Sequence, residues 1–269
     1  MPEQRPSSGS VPGIRLVFLG TGTSLGVPAI GCTCGVCRSD DPRNKRLRTS
    51  LYLQAGGIHV VVDIAPDFRM QALTNRIPRV DALVFTHSHA DHILGFDDIR
   101  RYNTMQDSRI PAYGSADTVA DMNRIFDYIH HEHVADVYRP RVDFHEVSGP
   151  FMIGPIRVTP FNVEHAPKTT YGFKFEACGR AVGYFPDCHV MPSDTIRSLQ
   201  NLDVMVLDAL RARPHSTHLS LGESVEALRR IGARRSFVIH MSHDLDHSRT
   251  EAELPESMFV SFDGLALDV

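Results

Sequence analysis

The sequence predicts an α+β protein whose β-sheets are layered between helices. Apolar strand-like runs come in pairs in the first half of the chain, and strand-like and helix-like segments alternate in the second half. No internal repeat, heptad pattern or long linker interrupts this order. We therefore expect a single domain over residues 14–269, after a flexible N-terminal tail of residues 1–13. At 269 residues, the chain can bury a sizeable core without disulfides.

The first half supplies the paired strands. IRLVFLG is an apolar strand, SLYLQAGGIHVVVDI is predicted to form two strands around a Gly-Gly hairpin turn, and DALVFTH is predicted to be a buried strand that runs into a polar loop. We expect a helix in ILGFDDIRRYNTM and a short strand and turn in IPAYGS. Apolar residues at helical spacing predict another helix from Ala116 to Ile129, and the region 99–145 is a candidate lid.

The second half alternates strands with a well-marked helix. The predicted strands are IRVTPFNVEH, YGFKFEA, AVGYFPD, LDVMVLDAL and RSFVIHMSH, and a Cys-Gly turn joins the second to the third. The helix between the last two is predicted to begin at Ser220, where a capping box pairs it with Glu223, and to end at Gly232.

Composition narrows the classes of function. The chain is 42% hydrophobic and 22% charged, and its net charge of −4 provides no broad basic surface for nucleic acid. No apolar run approaches the ~20 residues that span a bilayer, and the start MPEQRPSSGSVPG lacks a signal-peptide pattern. We therefore expect a cytoplasmic protein with no membrane partner. The 15 histidines are the unusual feature.

The strongest functional signal is THSHADH, residues 86–92, at the end of a predicted buried strand. Its spacing, His-x-His-x-Asp-His, places four metal-binding groups where a strand opens into a loop. Imidazole and carboxylate ligands suit zinc, manganese or iron. A solvated polar turn is the alternative interpretation. Because His165, Asp187 and His240 each end another apolar strand, we expect them to complete a metal site.

A second cluster, GCTCGVC, places three of the five cysteines within six residues. In a reducing compartment such clusters hold metals or do redox chemistry more often than they form disulfides. A closed structural zinc site needs four ligands, so one is missing. Cys178 and Cys188 are candidates, but His243 is the better one because it lies three residues after His240 and can face a neighbouring site.

The loop GTGTSLG allows a competing interpretation as a dinucleotide site, since glycines after a strand can cradle a pyrophosphate. Its spacing is Gly-x-Gly-x-x-x-Gly, however, and VPAIGCTC follows where the dinucleotide fingerprint needs a helix. The pattern therefore does not favour this class.

At these residues the sequence resembles the metallo-β-lactamase-fold hydrolases. The similarity runs in order from the opening strand and GTGTSLG through VVVDIAPD and THSHADH to the later strand ends. The resemblance implies an αββα sandwich with two active-site metal ions, zinc or manganese. Asp63, at the family's first acidic position, would orient the histidine loop. The implied ligands are His87, His89 and His165 for one metal, Asp91, His92 and His240 for the other, and Asp187 as a bridge.

The resemblance also implies the chemistry. A water shared by the two metals is acidified to hydroxide and attacks an electrophile bound across them. In this superfamily the residue at Asp91 can also handle a proton, so Asp91 is a candidate catalytic residue. The cysteine motif is similar to that of the cyclic phosphodiesterase subgroup of the phosphonate pathway (PhnP), whose cysteines and following histidine bind a structural zinc. This assigns a zinc site to Cys32, Cys34, Cys37 and His243.

The substrate class depends on RARPHSTHLSLGES. His218 lies two residues before the cap Ser220, near the positive end of a helix, where it can hold a phosphate oxygen or protonate a leaving alkoxide. The subgroup carries a histidine in a similar place, whereas His215 is the weaker candidate. We therefore predict a phosphodiesterase that cleaves a small cyclic phosphodiester, such as a cyclic nucleotide or a phosphoribosyl cyclic phosphate.

Three alternatives stay open. The fold also supports lactonase, thioesterase or β-lactamase chemistry at carbon. It supports tRNA 3′-end processing too, but this chain shows no long basic arm, and a nucleic-acid partner is not expected. A zinc-binding module without catalysis would lack a catalytic ligand, and none is missing. A homodimer is left open.

Overall fold

Two seven-stranded β-sheets form the centre of the molecule. The computed structural model describes residues 13–130, 138–165 and 167–269. Nearly all of the predicted tail, residues 1–12, and residues 131–137 of the candidate lid therefore lie outside the described residues. Numbered along the chain, the strands are β1 (Ile14–Gly20), β2 (Ser50–Ala55), β3 (Ile58–Val62), β4 (Ala82–Val84), β5 (Ile110–Gly114), β6 (Val142–Glu146), β7 (Phe151–Ile153), β8 (Ile156–Val163), β9 (Thr170–Ala177), β10 (Arg180–Phe185), β11 (Val204–Asp208), β12 (Arg235–Ile239), β13 (Met258–Val260) and β14 (Ala266–Asp268).

The strand order is β14-β1-β2-β3-β4-β5-β6 in the first sheet and β13-β12-β11-β10-β9-β8-β7 in the second. β3 through β6 are parallel to one another, as are β10 through β13. The helices are α1 (Gly35–Arg38), α2 (Phe68–Thr74), α3 (Ala90–Ile93), α4 (Ile99–Gln106), α5 (Ala116–Ile125), α6 (Ser193–Ser198), α7 (Leu221–Ile231) and α8 (His247–Glu253).

The layers follow from which side chains each strand buries. In β11, Val204 and Val206 enter the apolar core between the sheets, whereas Met205 and Leu207 pack against α6 and α7. Residues of α2, α4 and α5 cover the outer face of the first sheet in the same way. Both faces of the central strands are buried, which explains their continuous apolar runs. The predicted αββα sandwich is confirmed.

The predicted helices are partly confirmed. The capping box at Ser220 and the left-handed end at Gly232 are both present in α7. The helix expected in ILGFDDIRRYNTM begins only at Ile99, and a short 3₁₀ turn, Phe96–Asp98, precedes it. The helix predicted from Ala116 to Ile129 ends at Ile125 and continues as a short 3₁₀ turn.

Four strands were not predicted from the sequence, and all four are sheet edges: β6, β7, β13 and β14. Edge strands are short and partly exposed, so they carry no long apolar run. Among the described residues, no helix has the length and apolar character needed to cross a membrane.

Candidate metal centre

The predicted ligands lie where strands end, along one edge of the sandwich. Asp63 follows β3, the loop that begins at Thr86 follows β4, Asp187 follows β10, and His240 follows β12. β3 and β4 are parallel to each other, as are β10, β11 and β12, so the carboxyl ends of the strands in each set share an edge. β8 runs in the same direction as β10, since both pair antiparallel with β9, and it delivers His165 to the same edge.

Three imidazoles form the first ligand group. His87 Nε2 and His165 Nε2 lie 2.9 Å and 3.2 Å from His89 Nδ1. The three nitrogens lie within 4.8 Å of one another, a spacing at which a single cation can reach all three. His87 and His165 are buried, whereas His89 is exposed at the mouth.

A carboxylate and two imidazoles form the second group. Asp91 Oδ2 lies 3.3 Å from His92 Nε2 and 3.6 Å from His240 Nε2. The rings of His92 and His240 stack with their centroids 5.9 Å apart, so both Nε2 atoms face the same carboxylate. This set is also compact enough for one cation.

Asp187 lies between the two groups. Its Oδ2 is 3.1 Å from His92 Nε2, and its Oδ1 is 3.3 Å from His240 Nε2 and 3.8 Å from His165 Nε2. The side chain is 2% exposed. A single buried carboxylate thus contacts ligands of both groups, which is the position a bridging ligand needs.

Asp63 fixes which imidazole nitrogens face the site. Its Oδ1 accepts from the Thr86 backbone N–H at 2.8 Å, and its Oδ2 accepts from the Thr86 hydroxyl at 2.8 Å and lies 2.7 Å from His92 Nδ1. The Thr86 hydroxyl, having donated its proton to Asp63, accepts from His87 Nδ1 at 2.9 Å. Both rings therefore keep the Nε2 lone pair for a metal. Thr86 was not predicted as part of this support.

Buried atoms without partners indicate what the site is built to hold. Within the described residues, His92 Nε2, Asp187 Oδ2 and both ring nitrogens of His240 are buried without a hydrogen-bond partner. Leaving such atoms unpaired costs about 1–3 kcal/mol each. Divalent cations at the two groups would satisfy all but His240 Nδ1, so the residues present fit a metal pair.

The pKa values agree with this interpretation. Burial lowers the pKa of His87 well below its ordinary value and that of His165 to about 4, so both rings stay neutral, as metal ligands must. For His92, burial is outweighed by the three surrounding aspartates, which raise its pKa well above the ordinary value. A divalent cation at the second group would therefore compete with the proton on His92.

Two site residues have left-handed backbone conformations. Asp63 has φ of 59° and His240 has φ of 60°, which are uncommon for residues other than glycine. Each is the residue at which a strand turns towards the site. Such conformations cost about 1–3 kcal/mol and persist where the surrounding structure holds them, often at functional sites.

His218 lies next to the ligand groups and has a partner that was not predicted. Its Nδ1 is 2.8 Å from Asp208 Oδ2, and its ring stacks on that of His240 with centroids 4.8 Å apart. Its Nδ1 is also 3.8 Å from Asp187 Oδ1. Asp208 ends β11, so the rule that located the other strand-end ligands would have found it too. Burial raises the pKa of the Asp208 carboxyl well above its ordinary value and lowers the pKa of His218, so an extra proton on the pair is held with both groups neutral.

The three clustered cysteines and His243 come together as a second candidate site. The Nδ1 atom of His243 lies 3.2 Å from Cys32 Sγ and 3.4 Å from Cys34 Sγ, and all four ligand atoms, with Cys37 Sγ, lie within 4.8 Å of one another. The Cys37 backbone N–H and His243 lower the pKa of Cys34 to about 6, which favours the thiolate that binds metals. Three sulfurs and one nitrogen match a closed structural zinc site.

The other two cysteines are elsewhere. Cys178 is exposed in the turn between β9 and β10, and Cys188 is buried, with its Sγ donating to the carbonyl of Val190 at 3.1 Å. Neither completes the cysteine cluster.

The glycine loop after β1 has a structural use. A Cβ on Gly20 would lie 2.0 Å from the carbonyl oxygen of Arg48, so the glycine is needed for close backbone packing. The Met241 N–H donates to the Thr21 carbonyl, and the Thr23 N–H donates to the Met241 carbonyl. The loop therefore clamps the segment that follows His240, and no helix follows it in the position that a dinucleotide site needs.

Comparisons with known proteins agree with the fold. A family model described as the beta-lactamase superfamily domain matches residues 59–241. The solved structure of a protein described as a new diphosphatase from the PhnP family superposes with a TM-score of 0.87 at 37% identity, covering 95% of this chain and 98% of that one. Zn²⁺-bound PqqB from Methylobacterium extorquens shares the fold, with a TM-score of 0.77 at 20% identity over 95% and 100% of the two chains.

Among curated proteins, an octanoyltransferase from Porphyromonas gingivalis is 32% identical over 259 residues, which is 94% of this chain but 51% of that protein. This chain therefore spans about half the length of that relative. Since the family model covers more than half of the chain and the PhnP-family structure matches almost all of it, the chain belongs to the metallo-β-lactamase superfamily as a PhnP-type hydrolase.

Proposed function

We propose that this hydrolase is a metal-dependent phosphodiesterase that cleaves a small cyclic phosphodiester. The observation that carries the proposal is the buried pair of His218 and Asp208, which packs against His240 and lies beside Asp187. A hydrolase of carbon esters has no phosphate oxygen for such a histidine to hold, and a thioesterase expels a thiolate, which leaves without a proton. A phosphodiesterase can use the histidine in both ways, because it must hold a charged phosphate and expel a poorly leaving alkoxide.

Each ligand group would hold one divalent cation, zinc or manganese. When bound, the two cations supply a water acidified near neutral pH and neutralise negative charge on the phosphoryl group. The proposed ligands are His87, His89 and His165 in one group, Asp91, His92 and His240 in the other, and Asp187 between them.

The remaining steps use side chains of this chain. Asp91 lies at the edge of the second group with its carboxylate 12% exposed, where it can accept a proton from the attacking water. His218 Nδ1 is engaged by Asp208, which leaves Nε2 to face the substrate. When the pair carries its extra proton, Nε2 bears an N–H and can donate to the leaving oxygen. His240 and His165, in ring contact with His218, keep that donor in place.

A second candidate reaction is hydrolysis of a phosphoric anhydride. It is favoured by the 37% identity to a structure described as a diphosphatase. The same arrangement serves both reactions, since in each case water attacks phosphorus and an oxygen leaves. The difference is in the leaving group: an anhydride oxygen leaves as a phosphate and needs a proton less than an alkoxide does.

The cysteine cluster is proposed to hold a structural zinc through Cys32, Cys34, Cys37 and His243. Since His243 lies three residues after His240, a cation there would brace the segment that supplies an active-site ligand. All five cysteines are free thiols, which agrees with the cytoplasmic location that we propose. The proposed partner is a small phosphodiester substrate, and we propose neither a membrane nor a nucleic acid as a partner.

The test is a substrate panel with purified protein whose metals have been counted. The panel contains cyclic nucleotides, phosphoribosyl cyclic phosphates, linear phosphodiesters, a diphosphate, a lactone, a thioester and a β-lactam. We expect turnover of a cyclic phosphodiester that is lost in Asp187→Ala. Turnover confined to carbon esters would refute the proposal, and turnover confined to the diphosphate would favour the second candidate.

A further inference from the structure

A cavity of about 320 Å³ opens beside the first ligand group. His87 and His89 form one wall, and Lys168, on the segment between β8 and β9, forms part of another. Among the described residues that line this cavity, Lys168 is the one side chain with a full positive charge. Its side chain is 55% exposed, although its ammonium group is paired with a carboxylate.

The lysine is held at this wall by the helix behind it. Asp121 of α5 forms an ion pair with Lys168 and accepts a hydrogen bond from the Ser88 hydroxyl. One turn earlier, Asp117 accepts from the backbone N–H and the hydroxyl of Thr169, at 3.1 Å and 2.8 Å. The two carboxylates therefore secure both the segment that carries Lys168 and the loop that carries His89.

The ion pair with Asp121 does not occupy all the N–H donors of the Lys168 ammonium group. This carboxylate is largely buried and already accepts from Ser88 and Arg124, and these donors, with Lys168, lower its pKa to about 2. An ammonium group has three N–H donors, and one suffices for Asp121. The others are available to an anion in the cavity, at a site that Asp121 fixes in position.

We propose that Lys168 binds a second anionic group of the substrate, one that lies beyond the reacting phosphorus. This inference rests on the proposed function, because it takes the ligand groups as the place of reaction. It narrows the substrate class to phosphodiesters or anhydrides that carry a further phosphate. Lys168 is then a specificity residue, which sorts substrates by their remote charge and leaves the bond-breaking step to other residues.

A matched pair of substrates tests this. The pair is a ribonucleoside 2′,3′-cyclic phosphate with and without a 5′-phosphate, and kcat/KM is measured for both. We expect the wild-type protein to prefer the 5′-phosphorylated member and Lys168→Ala to lower that preference about ten- to a hundredfold, mostly through KM, as expected for one charged hydrogen bond. Lys168→Arg should retain most of the preference. Lys174→Ala, which removes a lysine paired with Glu176 on β9, is the matched control and should keep the wild-type ratio.

If Lys168 only secured its loop, Lys168→Ala would slow hydrolysis of both substrates equally. The ratio of the two kcat/KM values would then stay unchanged, which would overturn the proposal. Calorimetric binding of the nucleoside 3′,5′-bisphosphate and of the 3′-monophosphate supplies a readout that needs no turnover. Lys168→Ala should weaken binding of the bisphosphate alone, and equal binding to wild type would also overturn the proposal. If wild type hydrolyses neither cyclic substrate, the proposed function fails, while the binding comparison still decides the role of Lys168.

Discussion

Replacing His218 by alanine tests the mechanism most directly. His218 packs its ring against His240 and His165 but belongs to neither of the two proposed ligand groups, so His218→Ala is expected to keep its metals. For an alkoxide leaving group we expect kcat to fall about 10²- to 10⁴-fold, the range for a general acid. Asp208 acts through His218, and their buried hydrogen bond of 2.8 Å has the character of a charged one. Such bonds contribute about 1.5–3 kcal/mol, so kcat of Asp208→Asn should fall roughly ten- to 150-fold.

The assay compares two leaving groups at fixed metal content. A ribonucleoside 2′,3′-cyclic phosphate expels an alkoxide, whereas bis(p-nitrophenyl) phosphate expels a phenolate that leaves without a proton. Loss with the first and near-normal rates with the second would assign proton donation. Equal loss with both would assign His218 to holding a phosphate oxygen, and an unchanged rate on both would remove it from the mechanism. The double variant, which combines His218→Ala with Asp208→Asn, should have a kcat only slightly below that of His218→Ala alone. The control is His145→Ala, which removes an exposed histidine on β6.

Three further outcomes follow from the metal sites. Cys34→Ala should lose about one metal ion per chain and lower Tm, because a metal that binds only the folded chain stabilises it; lost activity with every metal retained would contradict the structural role. Asp187→Ala should lose both active-site metals by mass spectrometry, whereas His89→Ala should lose one, and equal losses would contradict a bridging Asp187. Metal binding to chelator-treated protein should release a proton and weaken as pH falls, because the surrounding aspartates raise the pKa of His92 and a cation competes with the proton on that ring. Calorimetry in buffers of different ionisation enthalpy measures this proton release. If no proton were released, competition between the metal ion and the proton on His92 would be contradicted.

The central strands were predictable because burial on both faces demands a continuous apolar run. RSFVIHMSH and LDVMVLDAL show this, since both lie inside the second sheet. The edge strands were not predictable for the same reason, because a strand with one free edge tolerates polar residues such as those of VDFHE in β6. The requirement for glycine at position 95 escaped detection because it depends on a distant carbonyl, that of Ala65.

The candidate ligands were identifiable because each follows an apolar strand, and polar residues that end parallel strands meet at one edge. Asp208 fits the same pattern but carried no separate signal, since only its contact with His218 distinguishes it from an ordinary strand-end carboxylate. Lys168 had no signal at all. Its importance comes from α5, a helix some fifty residues earlier in the chain, whose Asp121 holds it beside the ligand groups.

The sequence alone determined the layered fold, the candidate ligands at the strand ends and the cysteine cluster, because hydrophobic period and metal-binding side chains are local properties of the chain. Only the tertiary structure decided which ring nitrogens of His87 and His92 face the candidate site, through Asp63 and Thr86, and what supports His218. Those features depend on side-chain distances of 2.7–2.9 Å, such as that between Asp63 and His92, and no local pattern encodes them.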